Sequence, residues 1–402
     1  QPLHDNDSTL GDDTGSEADY CSVTDSVYDF PVENGRTYHA YMDGKYLFPN
    51  DERERERMEL VYDAINFIFE GKPFFAPVRN PHKIIDMGTG TGAWAIDVGD
   101  RYPEAHVVGI DLSPIQPKWV APNVEFRVDD IDQPWAFSRS ISFIHSRLMS
   151  GHSIRNWPSY FRKCFTHLSP GGWVEAQEIT LIPRCASTGP FSSDSYILEW
   201  HEIFLQGMRR AGYDLNITAD DIAIAMEQAG FINVHIRREI MPLGPWCPER
   251  HLREAGRLVS ESLLQGIGGI SSAVFTRILG WQFIDLELFL RNVRRELRSR
   301  NIHAFWPLLV ALHHFHNFSL SLLRQRKICC IWTETPITTI PANATALMDV
   351  ERKLEQGQGY VDSKLRSDKT QIVIKCDRGG RYRSRVASYY EEKKRICIQI
   401  DI

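Results

Sequence analysis

The sequence has 402 residues, of which 43% are hydrophobic and 24% charged, and it carries a net charge of −6 at pH 7. This composition predicts an ordinary globular protein with a real core, in one large or two smaller domains, and it excludes a protein that coats nucleic acid through overall positive charge. The eight cysteines include no CxxC pair and no apolar segment opens the chain, so we expect reduced thiols, no secretory signal and a cytoplasmic location, with the nucleus as the alternative.

The N-terminal segment is polar and acidic. Residues 1–34 are rich in Asp, Ser, Thr and Gly. Such a segment buries too little apolar surface to offset its ordering entropy, so we predict that it is disordered. Aromatic residues then become frequent, and between residues 52 and 70 the apolar positions recur at helical spacing. That spacing predicts an amphipathic helix whose charged first turns face solvent.

Apolar segments with the character of buried strands follow, and helical segments separate them. The predicted strands are residues 84–85, 107–111, 124–128, 141–145, 173–178 and 231–236, with a last strand that begins at residue 303. This alternation predicts an α/β fold with a Rossmann-like, doubly wound and mostly parallel sheet. The carboxyl ends of such strands share one edge, where ligands bind. The helical insertions at 183–228 and 245–300 are predicted to form a cap over the substrate.

A glycine-rich loop follows the first strand of this sheet. Asp86 lies at the end of the strand, and Gly88, Gly90 and Gly92 alternate after it before a helical segment begins. Glycines tolerate positive φ and let a ligand approach the backbone, while the free N–H groups of the helix start point toward that ligand. Gly88-x-Gly90-x-x-Ala93 also satisfies the loose dinucleotide fingerprint, so a nicotinamide or flavin enzyme is an alternative.

Carboxylates also follow the second and third strands. Asp111 ends the second strand, where it can accept hydrogen bonds from two ribose hydroxyls. Asp130 and Ile131 follow the third strand, where a carboxylate and a small apolar side chain can frame an adenine. Asp129 is the alternative to Asp130, because a register slip of one residue would exchange their roles. These features favour an adenosine ligand at the common edge of the sheet.

The glycine loop and these carboxylates together resemble a known family. Residues 86–94 resemble motif I of class I S-adenosylmethionine-dependent methyltransferases, Asp111 matches the acidic residue with which that family binds ribose, and residues 169–172 match the loop before its fifth strand. The likeness is closer still to the fungal LaeA-like methyltransferases of secondary metabolism, over about residues 35–308. The segments that carry it are residues 34–39, 88–95, 111–117, 143–147, 171–175, 279–281 and 302–305.

The resemblance implies S-adenosylmethionine as the cofactor and a set of residues that contact it. These are Asp86, Gly88, Thr89, Gly90, Gly92, Asp111, Leu112, Asp130, Ile131 and Tyr38. Methyl transfer from a sulfonium requires mainly orientation of the acceptor and exclusion of water, and it needs a base only if the acceptor must lose a proton. For an oxygen acceptor, His145 and His152 are the candidate bases.

Three functions remain open on the sequence. The first is a methyltransferase that acts on a small fungal metabolite, the second a LaeA-like regulator that acts in protein complexes, and the third an NAD(P)-dependent oxidoreductase. Gly92 and residues 170–172 disfavour the third. The expected partners are therefore a small-molecule acceptor or regulatory proteins. The apolar stretch 305–323 is interrupted by histidines and an asparagine, which argues against a membrane partner.

The end of the chain departs from the family pattern. Ser142 stands in the fourth strand where the family often has an acidic residue, and the terminal strand is only half legible after Pro307. We therefore predict a methyltransferase domain over residues 35–310 and a divergent extension over 311–402. Residues 362–385 of that extension, which include 376–382, resemble the DNA-binding start of FAR1-type, transposon-derived proteins. No carboxylate or cysteine is spaced to complete a site with the histidines at 313–316, so no metal is predicted.

Overall fold

The computed structural model describes residues 25–137, 140–150, 152–186, 194–299 and 302–314, together with the backbone of four short strands between residues 360 and 400. The chain divides into two compact units, Gln1–His316 and Asn317–Ile402. The disorder predicted before residue 25, the FAR1-type resemblance at 376–382 and the last of the clustered histidines lie outside the described residues.

The described part of the first unit contains a strand pair, a large sheet and helices on both faces of that sheet. The strands are β1 (Val32–Glu33), β2 (Arg36–Thr37), β3 (Lys83–Met87), β4 (His106–Asp111), β5 (Val124–Val128), β6 (Ile141–Arg147), β7 (Leu168–Ile179), β8 (Arg184–Cys185), β9 (His235–Pro242) and β10 (Ala304–His314). The helices are α1 (Glu52–Ile68), α2 (Ala93–Arg101), α3 (Trp157–His167), α4 (Tyr196–Arg210), α5 (Ala219–Ala229), α6 (Arg250–Ala273) and α7 (Phe283–Leu297). A 3₁₀ turn at Asp25–Tyr28 precedes β1, and a π-helical turn at Val274–Ile278 continues α6.

The main sheet confirms the predicted α/β class. Its strand order is β5-β4-β3-β6-β7-β10, and β8 and β9 both pair with β10. The strands β3 to β7 are mutually parallel, whereas β10 is antiparallel to β7 and β9. Because the chain runs from β3 outward to β4 and β5 and then crosses back to β6, the loops after β3 and β6 diverge. This is the switch point at which open α/β sheets bind ligands.

Three groups of buried side chains hold the unit together. On one face of the sheet, β3, β4, β6 and β7 pack against α3 and α5, and on the other face β3, β4 and β6 pack against α2. The third and largest group joins the residues from Tyr38 to Phe48 and α1 to α4, α6 and α7. These helices therefore form a cap beside the carboxyl edge of the sheet. The prediction of a cap from the insertions 183–228 and 245–300 holds for α4, α6 and α7, whereas α5 packs on the face of the sheet beside α3, and α1, which lies outside both insertions, joins the cap.

Three predicted elements differ most from the structure at their boundaries. The strand predicted at 173–178 is β7, which begins at Leu168 and therefore includes residues 169–172, predicted as the loop before it. The strand predicted at 231–236 is β9, which begins only at His235, because Gly230 ends α5 with φ +109° and Phe231 turns inward to become 1% exposed. The terminal strand, half legible in the sequence, is β10, which continues to His314 between β7 and β9. The predicted domain end at residue 310 therefore falls inside a strand.

Residues 25–34, predicted to be disordered, are folded. The turn between β1 and β2 is formed by Asn34 and Gly35, both with positive φ (51° and 72°), which is the two-residue hairpin turn that Asn-Gly favours. Glu33 forms an ion pair with Arg277, and Val27 is buried. The acidic composition of this segment therefore did not indicate a short hairpin, in which the carboxylate of Glu33 is paired with Arg277, far away in the sequence.

By length and hydropathy, Arg250–Ile278 is the one helical segment among the described residues that could span a membrane. In its most apolar window 67% of the residues are buried within the fold, and the helix contacts α1 and β9. We therefore interpret it as the central helix of the cap. In the second unit, β11 (Tyr360–Ser363) pairs with β12 (Ile372–Lys375), and β13 (Ala387–Glu392) pairs with β14 (Arg395–Ile400), both antiparallel.

Candidate active site

A cavity of about 270 Å³ lies at the carboxyl edge of β3, β4 and β6, beneath the cap. Ten of the twelve residues predicted for the site line it. These are Asp86, Gly88, Thr89, Gly90, Asp111, Leu112, Asp130, Ile131, His145 and His152. Gly92 and Tyr38 do not. The fold thus brings together residues that are up to 66 positions apart in the sequence, from 86 to 152.

The glycine loop keeps its backbone bare toward the cavity at two positions. Gly88 and Gly90 have φ values of +71° and +56°, which favour glycine. A Cβ atom on Gly88 would lie 2.2 Å from Sδ of Met149, so that side chain would have to move to admit any other residue. Gly92 has a different reason to be glycine. It precedes α2 with φ +84°, and its Cβ would lie 2.4 Å from the ring of Phe126 on β5, away from the cavity.

Asp86 is held by two neighbours. Its Oδ1 lies 2.7 Å from Nδ1 of His145, and its Oδ2 accepts a hydrogen bond of 2.7 Å from Thr89 Oγ1. The ring of His145 stacks on Trp94 with 3.7 Å between centroids and 2° between planes. Burial lowers the pKa of His145 although Asp86 opposes this, so the ring is neutral and donates its Nδ1–H to the carboxylate. His145 reaches the cavity wall but has no exposed surface.

Asp111 ties the end of β4 to the glycine loop. Its Oδ2 accepts from the backbone N–H of Gly90 at 2.8 Å, and its Oδ1 accepts from that of Ser113 at 3.0 Å. Gln116 donates to the carbonyl oxygens of Gly90 (2.7 Å) and Ser113 (2.9 Å) and closes the turn. Burial raises the pKa of Asp111 to about 6, against the effect of these N–H donors. The carboxylate therefore keeps lone pairs for a ligand at the cavity wall.

Asp130 carries an ion pair that the sequence did not indicate. Its Oδ1 accepts hydrogen bonds from Nζ of Lys45 and, at 2.9 Å, from the backbone N–H of Asp132. Nζ of Lys45 also lies 3.0 Å from Oδ2 of Asp132. Burial alone would raise the pKa of Asp130, but the hydrogen bond from Lys45 holds it below its usual value. Asp129 instead accepts from the backbone N–H of Asp130. A lone lysine in an aromatic segment was the only signal that could have suggested this pair.

The segment after β2 reaches the cavity, but not through Tyr38, which was predicted to contact the cofactor. Tyr38 is 1% exposed and lies in the cap core under the guanidinium of Arg277, at 5.4 Å. Its burial follows from its position directly after the β1–β2 hairpin, where its side chain faces the cap helices. The residues of this segment that reach the cavity are His39, Lys45, Tyr46, Phe48, Pro49 and Asn50.

Beyond the glycine loop, the cavity continues between apolar side chains of the cap. They are Tyr46, Phe48, Ile179, Leu181, Trp200, Phe204, Met241, Val259, Leu263, Ile270 and Trp306, and we refer to this part of the cavity as the aromatic chamber. His152 belongs to its wall, with its ring centroid 5.4 Å from Tyr46 and 5.1 Å from Phe48. Its Nδ1 lies 2.8 Å from Oγ of Ser153, and burial lowers its pKa to about 3, so the ring is neutral. Arg57, held by Glu54 at 2.8 Å, adds a positive charge to the same wall.

Comparison with known proteins gives the same site a family context. A family model described as a methyltransferase domain matches residues 54–236. The chain is 35% identical over 291 residues to the methyltransferase pytC of Aspergillus terreus, which covers 72% of this chain and 89% of that protein. It is 35% identical over 280 residues to the secondary metabolism regulator laeA of Aspergillus flavus (69% and 75% covered). It is also 32% identical over 280 residues to the protein-methionine methyltransferase laeA of Emericella nidulans (69% and 74% covered).

Proposed function

The chain belongs to the family of fungal LaeA-like and pytC-like S-adenosylmethionine-dependent methyltransferases, and we propose that it methylates a hydroxyl group on a largely apolar, ring-containing small molecule. The observation that carries this proposal is the continuity of the cavity. One cavity runs from the glycine loop of β3 into the aromatic chamber. A chamber lined by tryptophan, phenylalanine and aliphatic side chains suits a flat apolar acceptor better than a charged or sugar-like one.

The cofactor end of the cavity fits S-adenosylmethionine. Gly88 and Gly90 have positive φ and no side chain to block a close approach, and Asp111 stands at the end of the neighbouring strand. In this proposal Asp111 accepts the ribose hydroxyls, Asp86 faces the amino group, and Leu112 with Ile131 frames the adenine. When bound, the cofactor supplies a methyl group that is already activated for displacement. The protein orients the acceptor and keeps water out.

His152 is the base of this proposal. It lies on the aromatic chamber and its ring is neutral, so its unprotonated nitrogen can take the proton of an acceptor hydroxyl once the acceptor displaces the contacts of the ring with Ser153 and the backbone of Leu148. His145, the other predicted base, donates to Asp86 inside the core, and we assign it a positioning role. Arg57 lies on the same wall as His152 and stabilises negative charge that develops on the acceptor oxygen.

The proposal is tested with the full chain, labelled S-adenosylmethionine and a panel of apolar phenols and alicyclic alcohols, with products identified by mass spectrometry. His152→Ala is expected to lower kcat about 100-fold or more on the accepted compounds and to leave the Kd of S-adenosylhomocysteine unchanged. His167→Ala, at the end of α3 and outside the cavity lining, is the matched control. Unchanged turnover by the His152 variant would remove this residue from the mechanism.

A thioether is the second candidate acceptor. The Emericella nidulans relative is named a protein-methionine methyltransferase. In this chain Met149 has its Sδ against Gly88, and Met58 has its Sδ 3.5 Å from the position of a Cβ on Gly90, both on the cavity. Transfer to methionine predicts that the protein gains the mass of one methyl group when it is incubated with S-adenosylmethionine alone. Loss of that gain in Met149→Leu would favour this reaction over the hydroxyl.

The relatives named as secondary metabolism regulators extend this alternative to protein partners. A regulatory chain would bind the cofactor and turn over none of the small molecules in the panel. It would instead be recovered with a partner protein in a pull-down that depends on intact Asp86 and Asp111. Turnover of a small molecule at a rate lowered by His152→Ala favours the metabolic enzyme.

A further inference from the structure

Arg57 is a cation on the wall of the aromatic chamber, and its side chain is held between two helices. It lies on α1, and its Nε lies 2.8 Å from Oε1 of Glu54, about one helical turn earlier. Its Cδ lies against Gly266 of α6, where a Cβ atom would be only 2.0 Å away. Ser262, also on α6, donates to the backbone carbonyl oxygen of Arg57 at 3.4 Å. The two helices therefore meet at a glycine that leaves room for this side chain.

The ion pair with Glu54 leaves the end of the guanidinium accessible. The side chain of Glu54 is fully buried and is not part of the cavity wall, whereas Arg57 lines the cavity and keeps 16% of its side-chain surface exposed. Among the described residues, the two terminal nitrogens of Arg57 donate no hydrogen bond. The pair thus holds its carboxylate inside the cap and presents N–H donors at the cavity, so an oxygen of a ligand can bind there without displacing a protein partner.

The charge of Arg57 acts on the part of the chamber where His152 lies. Burial and, after it, the charge of Arg57 lower the pKa of His152 to about 3. At the hydroxyl of Tyr46 the order is different. Burial and then the carboxylate of Glu54 raise the pKa of Tyr46, against a smaller opposite effect of Arg57. The positive end of the ion pair therefore acts mainly on His152, and its negative end acts mainly on Tyr46.

A weakly basic ring beside a cation suits only some hydroxyl groups. An ordinary phenol has a pKa of about 10, so its proton would move to such a ring against an equilibrium of about seven powers of ten. An alcohol holds its proton more tightly still. A neighbouring positive charge favours the ionised form of the acceptor and so assists the transfer. This part of the chamber is therefore suited to an acceptor that releases its proton easily.

We propose that the aromatic chamber selects acceptors whose hydroxyl is acidic, such as a ring enol or a phenol with an electron-withdrawing substituent, and that Arg57 determines this specificity by binding the oxygen as an anion. This inference rests on the proposed methylation of a hydroxyl and narrows its acceptor class. The hydroxyl proton passes to His152, and the oxygen forms the new bond to the methyl carbon. The bond from that carbon to the sulfonium sulfur breaks, and its electron pair stays on sulfur.

The first test measures the ionisation of a bound phenol. The probe is 4-nitrophenol, whose neutral and anionic forms absorb at different wavelengths, and it is titrated at fixed pH with the full chain in the presence of S-adenosylhomocysteine. The ratio of anion to neutral form in the bound probe is expected to be about 10- to 100-fold higher for the wild type than for Arg57→Met, which is the range for a hydrogen bond to a charged group. The Kd of S-adenosylhomocysteine stays unchanged.

The second test measures turnover of three acceptors of similar size, 4-cyanophenol, 4-methylphenol and 4-methylcyclohexanol, with labelled S-adenosylmethionine. For the wild type kcat/KM is expected to fall in that order, by about 100-fold or more between the first and the last. Arg57→Met is expected to lower kcat/KM for 4-cyanophenol about 10- to 100-fold. Arg57→Lys retains the charge and keeps part of both effects if Arg57→Met folds poorly.

Arg55→Met is the matched control. Arg55 lies on the same helix and pairs with Glu52 at the same spacing, but it does not line the cavity. This variant is expected to give the probe spectrum and the acceptor order of the wild type.

Three outcomes would overturn the inference. If 4-methylcyclohexanol is methylated as fast as 4-methylphenol, the hydroxyl reaction stands and the selection for an acidic acceptor is refuted. If Arg57→Met leaves the ionisation of bound 4-nitrophenol unchanged, Arg57 is not the residue that determines it. If no phenol binds or is methylated, the hydroxyl reaction fails, and this inference fails with it.

Discussion

The roles of the two predicted bases, His145 and His152, can be distinguished by how far each substitution by alanine lowers the free energy of unfolding. His145→Ala removes a hydrogen bond to a charged carboxylate, which contributes about 1.5 to 3 kcal/mol, and a stacked contact with Trp94, which contributes about 0.5 to 1.5 kcal/mol. Because the ring of His145 is fully buried, its contacts with Asp86 and Trp94 are not exchanged for contacts with bulk water when it is removed. We therefore expect the free energy of unfolding to fall by about 3 kcal/mol. His152→Ala removes a half-buried ring from a cavity, and we expect a loss of about 1 kcal/mol or less.

The measurement is urea unfolding of the full chain followed by tryptophan fluorescence. The pH dependence gives a second readout, because burial lowers the pKa of His145 in the folded protein. Below pH ~6.5 the unfolded chain binds a proton that the folded ring does not, so the neutral ring costs stability as the pH falls. His145→Ala removes that share of the pH dependence.

A specific result would refute this assignment of His145. If His145→Ala unfolds at the urea concentration of the wild type and binds S-adenosylhomocysteine normally, yet has lost turnover, His145 acts in the reaction itself. The stacking on Trp94 and the bond to Asp86 would then be incidental. His167→Ala serves again as the control for replacing a histidine outside the cavity.

Three further results are expected. Burial raises the pKa of Asp111 to about 6, so affinity for S-adenosylhomocysteine, measured by calorimetry, is expected to weaken as the pH falls below that value and the carboxylate becomes a poorer acceptor. Gly266→Ala places a Cβ 2.0 Å from Cδ of Arg57, and we expect thermal denaturation to show a loss of about 1 to 3 kcal/mol. Lys45→Met leaves the buried Asp130 without its ion-pair partner, and urea unfolding is expected to show a loss of about 1 to 3 kcal/mol near neutral pH, which shrinks as the pH falls and Asp130 is protonated.

Each of these has its own control. Asp111→Asn cannot titrate, so its affinity is expected to be low and independent of pH, and a sloped profile in that variant would assign the effect to another group. Gly268→Ala lies on the same helix with Nη2 of Arg294 as its nearest contact, at 3.0 Å, so the neighbour can move and little stability is lost. Equal losses at Gly266 and Gly268 would contradict the steric argument. Lys72→Met, on the surface loop after α1, is the control for Lys45.

The parallel sheet could be predicted because the residue pattern that indicates each strand lies within a few consecutive positions. Each of β3, β4 and β6 is a short apolar run with a polar residue at or next to its end, and the glycines after β3 mark the turn into α2. The edge strands were harder. The start of β9 was predicted about four residues too early, because Phe231 is as apolar as a strand residue but packs against α3 instead. The hairpin at residue 34 had a recognisable Asn-Gly turn, which the acidic composition around it obscured.

Only the part of the cavity wall that the sheet forms could be predicted from the sequence. Asp86, Asp111 and Asp130 follow strands, so the topology alone brings them to one edge. The aromatic chamber is assembled from the segment after β2, the end of β7 with the residues that follow it, and from α4, α6, β9 and β10. No spacing in the sequence connects these elements, because their contacts depend on how the cap helices cross one another. Lys45 and Arg57 also reach the cavity through contacts between distant elements, and neither was predicted as a site residue from the sequence.

β6 shows how far a residue pattern can be taken. Its period of two puts Phe143, His145 and Arg147 on one face, and that much follows from the sequence. The face packs against α2, so Phe143 meets the core, His145 meets Trp94 and Asp86 at the cavity wall, and Arg147 reaches the same wall at the end of the strand. His152 lies five residues beyond the strand, on the aromatic chamber. Two histidines with the same chemistry thus receive opposite tasks, because one side chain is aimed at a carboxylate in the core and the other at the space where an acceptor binds.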